Sequence, residues 1–292
     1  MEISTLEAGI ESKPPISRRR FLALSGVAAL GIPLYAAEIS RHEIKVEQVT
    51  IRMPRLPEVF RGLRIAQISD LHYANYTEPF FIRRVVEHVN RLKADVVVFT
   101  GDYITVGLWP YEDIVRFANN CAELLSQIAC PIRYACLGNH DYGVNQWMVT
   151  DALTSHGIPV LTNRSEPLER DGVRLWFAGT GDALCKGVDL DRAVPAASRK
   201  DGEPVILLAH EPDILSTVVP YQVDLMLSGH THGGQIRLPF VPALFLPKLG
   251  TEFVEGRFQM GNTQLYVNRG IGTVNLPLRF NCPPEITVLT LA

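Results

Sequence analysis

Residues 63–72 read Leu63-Arg64-Ile65-Ala66-Gln67-Ile68-Ser69-Asp70-Leu71-His72, a short apolar run that passes directly into a polar motif. Four more apolar runs are followed in the same way by a polar motif. The later apolar runs are 96–99, 132–137, 205–209 and 223–227, which lead into Gly101-Asp102, Gly138-Asn139-His140-Asp141, His210 and Gly229-His230-Thr231-His232. Apolar runs of this length, bounded by glycine and polar residues, are typical of buried strands. The sequence therefore predicts five strands that each end in a polar motif.

Helix-like periodicity separates the first three of these strands. Residues 79–93 and about 110–128 carry apolar positions at three- and four-residue spacing, which is typical of helices that pack one face on a sheet. Alternation of strands and helices indicates βαβ units and a largely parallel sheet. Because the carboxyl ends of parallel strands meet along one edge, we expect the five polar motifs to converge in one cleft.

The later part of the chain is richer in strand-like than in helix-like stretches. Residues 174–178, 264–267 and 286–291 are such stretches, with frequent glycine and proline between them, and residues 42–53 alternate as a half-exposed strand does. We therefore expect an α/β fold with two sheets face to face and helices outside. Residues 38–292 contain no low-complexity linker and no internal repeat, which predicts one domain.

Composition and charge exclude several classes of protein. The chain has 292 residues, of which 47% are apolar and 20% charged, and this is an ordinary globular mixture. A net charge of −3 gives no basic field for nucleic acid, so no nucleic-acid partner is expected. Five cysteines without a C-x-x-C motif argue against a disulfide scaffold or a cysteine-ligated zinc site.

Residues 1–37 have the composition of an export signal. Ser17-Arg18-Arg19-Arg20-Phe21-Leu22 is followed by an apolar run that ends near Tyr35-Ala36-Ala37 and contains glycine and proline. This run is shorter than the ~20 residues that a spanning helix needs, and basic residues before a weak apolar core are typical of a signal peptide. The string S-R-R-x-F-L resembles the bacterial twin-arginine signal.

We therefore expect a twin-arginine-type signal segment over residues 1–37, recognised by the twin-arginine export machinery. The expected location is the periplasm or the outer face of the cytoplasmic membrane of a bacterium. A cytosolic protein with a basic tail and an extra helix is the alternative, and the sequence leaves cleavage of the segment open.

The predicted cleft contains seven side chains that bind metals, namely Asp70, His72, Asp102, Asn139, His210, His230 and His232. Carboxylates, imidazoles and an amide oxygen suit manganese, iron or zinc. Seven ligands are too many for one ion that keeps a reactive position open, but they suffice for two ions if one carboxylate bridges them. Two ions ~3.5–4 Å apart can clamp a phosphoryl oxygen and generate hydroxide at neutral pH.

The motifs differ in how specific they are. D-x-H and G-D are common turn sequences when they stand alone. G-H-x-H-G-G is more specific, because alternate residues of an extended segment present both imidazoles to one side. The full order, with each motif after its own strand, resembles the calcineurin-like metallophosphoesterases from about Leu63 to the C-terminus. The run from Gly229 to Ile236 is similar in particular to small bacterial phosphoesterases that carry a twin-arginine leader.

This resemblance implies a four-layer αββα sandwich, with two mixed β-sheets, flanking helices and a dinuclear metal site at the carboxyl ends of the strands. By motif, Asp70, His72 and His232 would hold one ion, Asn139, His210 and His230 would hold the other, and Asp102 would bridge them. The ions would be divalent or trivalent manganese, iron or zinc, with manganese favoured. His140 would not bind metal but would stabilise and protonate the leaving oxygen.

One position departs from the family pattern. Members often carry G-D-x-x-D, whose second aspartate orients the histidine of G-N-H, and the matching residue here is Thr105. A threonine accepts a hydrogen bond but cannot stabilise an imidazolium by charge. We therefore expect His140 to be a weaker acid, unless Asp141 assists it.

The predicted function is metal-dependent hydrolysis of phosphate esters, monoester or diester, by a hydroxide activated between two metal ions. A catalytically inactive binding or scaffold protein of the same fold is the alternative, although such relatives lose ligands and all seven are present here. Oxygen chemistry at a di-iron centre is a second alternative, which the lack of a Glu-x-x-His pair on helices disfavours.

Residues 236–247 suggest a class of substrate. The stretch is apolar, and Pro239, Pro242 and Pro247 forbid a regular helix or a central strand. Two interpretations are open at this point, a plug beneath the sheets or an exposed lip beside the metals. A lip would take an acyl or prenyl chain or rest on the bilayer, which predicts a lipid-linked phosphoester as substrate and peripheral contact with the membrane.

Overall fold

The computed structural model describes residues 17–20, 31–73, 76–107, 109–200 and 202–292. Most of the predicted signal segment 1–37 lies outside the described residues. A membrane-spanning helix, judged by length and hydropathy together, is not found in the described ranges.

The predicted strands and both predicted helices are present. The strands are β1 Lys45–Ile51, β2 Arg64–Ile68, β3 Val96–Thr100, β4 Arg133–Cys136, β5 Arg164–Arg170, β6 Val173–Gly179, β7 Val205–Leu208, β8 Leu225–Ser228, β9 Gly256–Met260, β10 Thr263–Val267 and β11 Glu285–Leu291. The helices are α1 Pro79–Leu92, α2 Tyr111–Ser126, α3 Asn139–Ser155, α4 Leu190–Ala193 and α5 Leu215–Val218. Strands β5 and β9 and helices α3, α4 and α5 were not predicted.

The strands form two mixed sheets. The first sheet has the order β1-β11-β2-β3-β4, with β2, β3 and β4 parallel and β11 antiparallel to β2. The second has the order β5-β6-β7-β8-β10-β9, in which β6, β7, β8 and β10 run parallel and each outer strand is antiparallel to its neighbour. The strands that lead into the polar motifs thus lie next to one another in each sheet.

Four layers follow from the alternation of side chains along the strands. In β3, Val97 and Phe99 pack against helices α1 to α3, whereas Val96 and Val98 face the second sheet. In β7, residues 206 and 208 face the first sheet, and residues 205 and 207 pack on the short helices α4 and α5. Each such buried aliphatic side chain stabilises the fold by about 1.5–3 kcal/mol. The predicted αββα sandwich is confirmed.

Helix α3 begins inside the G-N-H-D motif. Gly138 is its N-cap, and the carboxylate of Asp141 at the third helical position accepts a hydrogen bond from the Gly138 backbone N–H at 2.9 Å. No helix was predicted at this motif from the sequence. The consequence for the site is that Asn139 and His140 are fixed by a helix start rather than by a flexible turn.

The segment before β1 packs on the domain. A π-helical turn, Tyr35–Ile39, leads into the 3₁₀ turn Ser40–His42. Ala36 is buried, and its carbonyl accepts a hydrogen bond from the Arg279 backbone N–H at 3.1 Å. Arg41 forms an ion pair with Glu78 at 2.7 Å. Residues 35–37, which the sequence assigned to the signal segment, therefore contact the same domain as the metal-binding motifs.

Candidate metal centre

All seven predicted ligands lie at one end of the two sheets. The first sheet contributes Asp70, His72, Asp102 and Asn139 from the loops or helix after β2, β3 and β4, and the second contributes His210, His230 and His232 from the loops after β7 and β8. Six of the seven side chains are buried, and Asn139 is half-buried. The polar motifs therefore converge as the strand order predicted, and both sheets contribute metal-binding side chains to one cleft.

One group of donor atoms involves Asp70, His72 and His232. The Nε2 atoms of the two imidazoles lie 3.0 Å apart, and His232 Nε2 is 3.4 Å from Asp70 Oδ1. The three residues together could hold a metal ion. Their donor atoms lie within 4.8 Å of one another, as the ligands of one ion do.

Asp102 lies between this group and the other histidines. Its Oδ2 atom is 3.5 Å from His72 Nε2 and 3.2 Å from His210 Nε2. Its Oδ1 atom accepts a hydrogen bond from the His140 backbone N–H at 2.9 Å. This is the place that a carboxylate shared between two ions would occupy.

Two buried side-chain atoms would find a better partner in a metal ion than they have within the protein. Within the described ranges, Asn139 Oδ1 and His210 Nε2 are buried and make no hydrogen bond of good geometry, and His210 Nε2 has the Asp102 carboxylate 3.2 Å away. A buried polar atom left in this way costs about 1–3 kcal/mol, unless an ion accepts its lone pair. Both atoms belong to predicted ligands, so the donor set fits the dinuclear site that the sequence predicts.

The imidazoles are held in defined orientations by groups outside the site. His210 Nδ1 donates to the Thr100 carbonyl at 2.6 Å, and His230 Nε2 donates to the Lys248 carbonyl at 2.9 Å. A carbonyl only accepts, so a ring proton lies on that nitrogen in each residue, and the other nitrogen faces the candidate metal site.

Thr105 supports a different histidine from the one expected. Its Oγ1 atom lies 3.1 Å from His72 Nδ1, so it contacts a predicted metal ligand rather than His140. The expectation that this position orients the histidine of G-N-H is wrong. The turn after β3 brings residue 105 back over the end of β2, and nothing in the spacing of the motifs shows this.

Burial keeps most of these imidazoles neutral. It lowers the pKa of His72 to about 3 and that of His230 to about 4, and it lowers the pKa of His232 well below its usual value. His210 differs, because burial is outweighed by the neighbouring Asp102 carboxylate and the pKa is raised. Neutral imidazole is the form that binds a metal, so three rings are ready to coordinate.

The backbone at the site is strained. Asp70, His72, Asp102, His230 and His232 have positive φ angles of 51°, 47°, 57°, 73° and 51°. Side-chain-bearing residues in this region cost about 1–3 kcal/mol each, and such strain is concentrated at functional sites. The G-H-x-H-G-G motif is therefore not the extended segment that we expected, since it turns through left-handed residues into the 3₁₀ turn His232–Gly234.

Gly101 allows the loops of the first sheet to approach one another. Its φ is 95°, and a Cβ placed there would lie 2.6 Å from both the Gly138 backbone nitrogen and His210 Nδ1. Only glycine fits this contact. The close approach brings Asp102 and Asn139 to the same side of the cleft.

His140 is placed at the edge of the cleft with its proton directed by the backbone. Its Nδ1 atom accepts a hydrogen bond from the Val106 backbone N–H at 3.0 Å, so in the neutral ring the proton is on Nε2. Its ring centroid lies 4.7 Å from that of His72. One possible metal-binding group also includes His140, together with His72 and Asp102.

Asp141 does not serve His140 in the way that the sequence suggested. Its carboxylate accepts backbone hydrogen bonds, each at 2.9 Å, from Asp102, Tyr103 and Gly138. It therefore joins the loop after β3 to the start of α3. Assistance to His140 was the alternative that the sequence left open, and the hydrogen bonds of Asp141 show a structural role instead.

Arg279 is a neighbour of the site that the sequence did not indicate. It is completely buried, donates to the carbonyls of Gly272 and Cys282, and places Nη2 3.4 Å from His232 Nδ1. A single arginine in a proline-rich stretch carries no motif, so only the structure reveals it.

The cleft beside these residues has one polar and one apolar wall. It measures about 600 Å³ and includes Asp102, Asn139, His140, His230 and His232 on the polar side. The apolar side is formed by Leu244, Phe245, Leu246, Pro247 and Leu276. Phe245 is 76% exposed, so the interpretation of residues 236–247 as a buried plug is wrong and they form an exposed lip.

Comparison with known proteins agrees with this architecture. Residues 63–234 match the family model for calcineurin-like phosphoesterases. A solved structure, the NAD nucleotidase of Haemophilus influenzae, superposes with a TM-score of 0.50 at 18% identity, over 72% of this chain and 45% of that one. That likeness concerns the fold alone.

Curated relatives are similar over almost the whole chain. The uncharacterized metallophosphoesterase YkuE of Bacillus subtilis is 37% identical, over 94% of this chain and 98% of its own. Phosphodiesterase YaeI of Escherichia coli is 30% identical, over 94% and 99%. The UDP-2,3-diacylglucosamine pyrophosphatase LpxG of Chlamydia muridarum is 30% identical, over 88% and 92%. With its buried Asp and His cluster at the carboxyl ends of two sheets, this chain belongs to the calcineurin-like phosphoesterase family and is a phosphoester hydrolase.

Proposed function

We propose that the protein is a metal-dependent phosphoesterase that hydrolyses lipid-linked phosphate esters outside the cytoplasmic membrane. The observation that carries the proposal is the shared cleft, in which the candidate metal ligands face an apolar wall. A phosphate group would lie against the polar side while its hydrocarbon chain lies against the lip.

In this proposal the seven residues divide between two ions, with manganese favoured over iron or zinc. Asp70, His72 and His232 hold one ion, Asn139, His210 and His230 hold the other, and Asp102 bridges them. The short distances within the first group, the central position of Asp102 Oδ2, and the two orphaned atoms support this division. When bound, two ions supply an activated water and neutralise charge on the phosphoryl oxygens.

His140 is proposed as the proton donor to the leaving oxygen. Its Nδ1 is occupied by the Val106 backbone N–H, which leaves the proton on Nε2. The residue is half-buried and lines the cleft, so the proton faces the substrate. Asp102 fixes the start of α3 through the His140 backbone N–H, which holds the donor beside the bridging carboxylate.

The lipid-linked substrate is supported by the apolar wall and by one relative. Leu244, Phe245 and Leu276 leave large apolar surfaces accessible beside the polar groups, and such contiguous surfaces mark binding sites. The printed name of LpxG gives it a diacylated sugar nucleotide as substrate, and the name of YaeI gives it phosphodiesterase activity. Export by the twin-arginine machinery, supported by residues 17–22, would bring the enzyme to the outer face of the membrane.

A substrate panel with one lip variant tests the proposal. The purified protein, supplied separately with each metal, is assayed on aryl phosphates, nucleotides and lipid-linked phosphates. Phe245→Ser removes an aromatic ring from the apolar wall and should raise KM for a lipid phosphoester by about tenfold or more while sparing an aryl phosphate. Trp147→Ser, an exposed position on α3 outside the cleft, is the matched control. Equal losses on both kinds of substrate would contradict a lipid-binding wall.

A further inference from the structure

We propose that the tip of the lip, residues 238–241, inserts into the surface of a phospholipid bilayer and holds the mouth of the cleft against it. This inference rests on the proposed function, because the bilayer surface is where the enzyme would encounter a lipid-linked substrate. Its physical basis is separate, because the tip residues are not those that line the metal cleft.

The tip exposes its side chains to a degree that neither the core nor the cleft explains. Phe240 is completely exposed, and Leu238 and Val241 are 46% and 40% exposed. Phe240 also has a φ of 64°, a left-handed conformation that is uncommon for a bulky residue. An aromatic side chain held outward by strained backbone gains nothing from water, but it is stabilised when an apolar phase covers it.

The base of the lip is hydrogen-bonded to the domain, so the tip is held in a defined position. The Arg237 backbone N–H donates to the Phe280 carbonyl at 2.9 Å, and the Phe280 N–H donates to the Gln235 carbonyl at 3.0 Å. Arg237 also forms an ion pair with Glu255. At the top of the turn, the Val241 N–H donates to the Leu238 carbonyl at 3.3 Å. A protruding apolar turn on a rigid base suits shallow insertion.

The composition of the lip favours a bilayer over a protein partner. Residues 238–247 contain no charged and no hydrogen-bonding side chain. Protein interfaces surround an apolar centre with a polar rim, whereas the apolar face of a membrane-bound segment lies about 5–10 Å deep at the boundary of headgroups and acyl chains. A ten-residue stretch without polar side chains matches the second environment.

The N-terminal segment emerges beside the lip. Arg279 donates its backbone N–H to the Ala36 carbonyl, and the next residue, Phe280, is the one that pairs with the base of the lip. The described part of this segment exposes four large apolar side chains, Ile32, Leu34, Tyr35 and Ile39. The chain just before it, residues 21–30, contains no charged residue. The exposed apolar side chains of residues 32–39 therefore lie beside the base of the lip, and a bilayer would cover both.

This arrangement also gives the substrate a path. Phe240 lies at the tip, while Leu244 and Phe245, four and five residues later, line the cleft beside the metal-binding residues. A hydrocarbon chain could pass from the bilayer along the lip to the cleft without crossing water. The lip thus has an outer part that contacts lipid and an inner part that contacts substrate.

A tryptophan at the tip provides a local test in the full chain. Phe240→Trp is mixed with phosphatidylglycerol and phosphatidylethanolamine vesicles whose acyl chains carry bromine at defined depths, and its emission is compared with that of the unsubstituted protein. We expect a blue shift and strong quenching by bromines about 5–10 Å below the headgroups. Because the readout is local, attachment of the protein through its N-terminal segment alone would leave this emission unchanged.

Glu169→Trp is the matched control. Glu169 is exposed on β5, beside the hairpin turn that lies at the end of the second sheet opposite the cleft, and its emission should remain unquenched. Absence of quenching for Phe240→Trp would overturn the inference. A blue shift without vesicles, together with a doubled mass in solution, would assign the tip to a second copy of this chain and would also overturn it.

A second variant separates this inference from the proposed function. Phe240→Ser with Val241→Ser should leave aryl phosphate turnover unchanged and lower turnover of a lipid phosphoester in vesicles by about tenfold or more, with recovery in detergent micelles. If the lipid activity persists in vesicles, the inference fails and the proposed function stands. If tip quenching is seen but no lipid phosphoester is hydrolysed, the proposed substrate fails and the bilayer contact stands.

Discussion

Replacing Thr105 with valine should loosen one of the two metal ions and leave the other in place. Thr105 is buried, and its hydroxyl is the hydrogen-bond partner of His72 Nδ1 at 3.1 Å. Valine has the same shape but accepts no hydrogen bond, so the buried ring N–H loses its partner. Since His72 is assigned to only one ion, the effect should be confined to that ion.

The size of the effect follows from the burial of the pair. Leaving one buried donor unsatisfied costs about 1–3 kcal/mol, and 1.4 kcal/mol corresponds to about tenfold in affinity. The dissociation constant of the affected ion should therefore rise by about 5- to 150-fold. This agrees with the range of about 10–100-fold that is typical when the hydrogen-bond partner of a metal ligand is removed.

Equilibrium dialysis against a graded chelator, followed by elemental analysis, measures the two affinities. Thr105→Ser retains the hydroxyl and is the matched control, expected to bind both ions nearly as tightly as the native protein. Thermal unfolding of the metal-free variants would show whether the fold itself has changed. Equal weakening of both ions, or no change in either, would refute the assignment of Thr105 to one metal ligand.

Three further predictions concern the metals, the proton donor and export. Asp102→Ala should lower the occupancy of both ions, as measured by elemental analysis, and full retained activity would contradict a bridging role. His140→Ala should slow esters with poor alkoxide leaving groups far more than activated aryl esters, whereas an equal loss across a leaving-group series would indicate a positioning role. Replacing Arg18, Arg19 and Arg20 with lysine keeps the charge and should retain active enzyme in the cytosol, as cell fractionation would show, and normal export would refute the twin-arginine assignment.

The layers of the fold could be predicted because the periodicity of the apolar residues and the positions of the polar motifs indicate the same strands. Each of the buried runs at 64–68, 96–100 and 205–208 is a strand close to its predicted bounds, and the polar residue that follows lies at the predicted edge. Helices α1 and α2 were visible as amphipathic stretches for the same reason. Helix α3 was not, because a motif rich in glycine, asparagine and aspartate has the composition of a turn.

The finer chemistry of the site could not be predicted because it depends on backbone direction. His230 and His232 were assigned to one side of an extended segment, yet left-handed φ angles at both residues direct them instead. The partner of His72 is set by the path of the turn after β3, and Arg279 reaches His232 across 47 residues of sequence. Such contacts are properties of the assembled loops and leave no local pattern.

The position of the metal centre between two sheets has a consequence for how the chain holds together. All five cysteines are free, so no covalent cross-link joins the two halves of the sandwich. Asp102 follows a strand of one sheet, and His210 follows a strand of the other. Ions shared between them would close a loop of about 100 residues, and a disulfide closing such a loop restricts the unfolded chain by about 5 kcal/mol. Metal loading would then fasten the two sheets together in the way that a disulfide does, and it could be undone by a chelator rather than by a reductant.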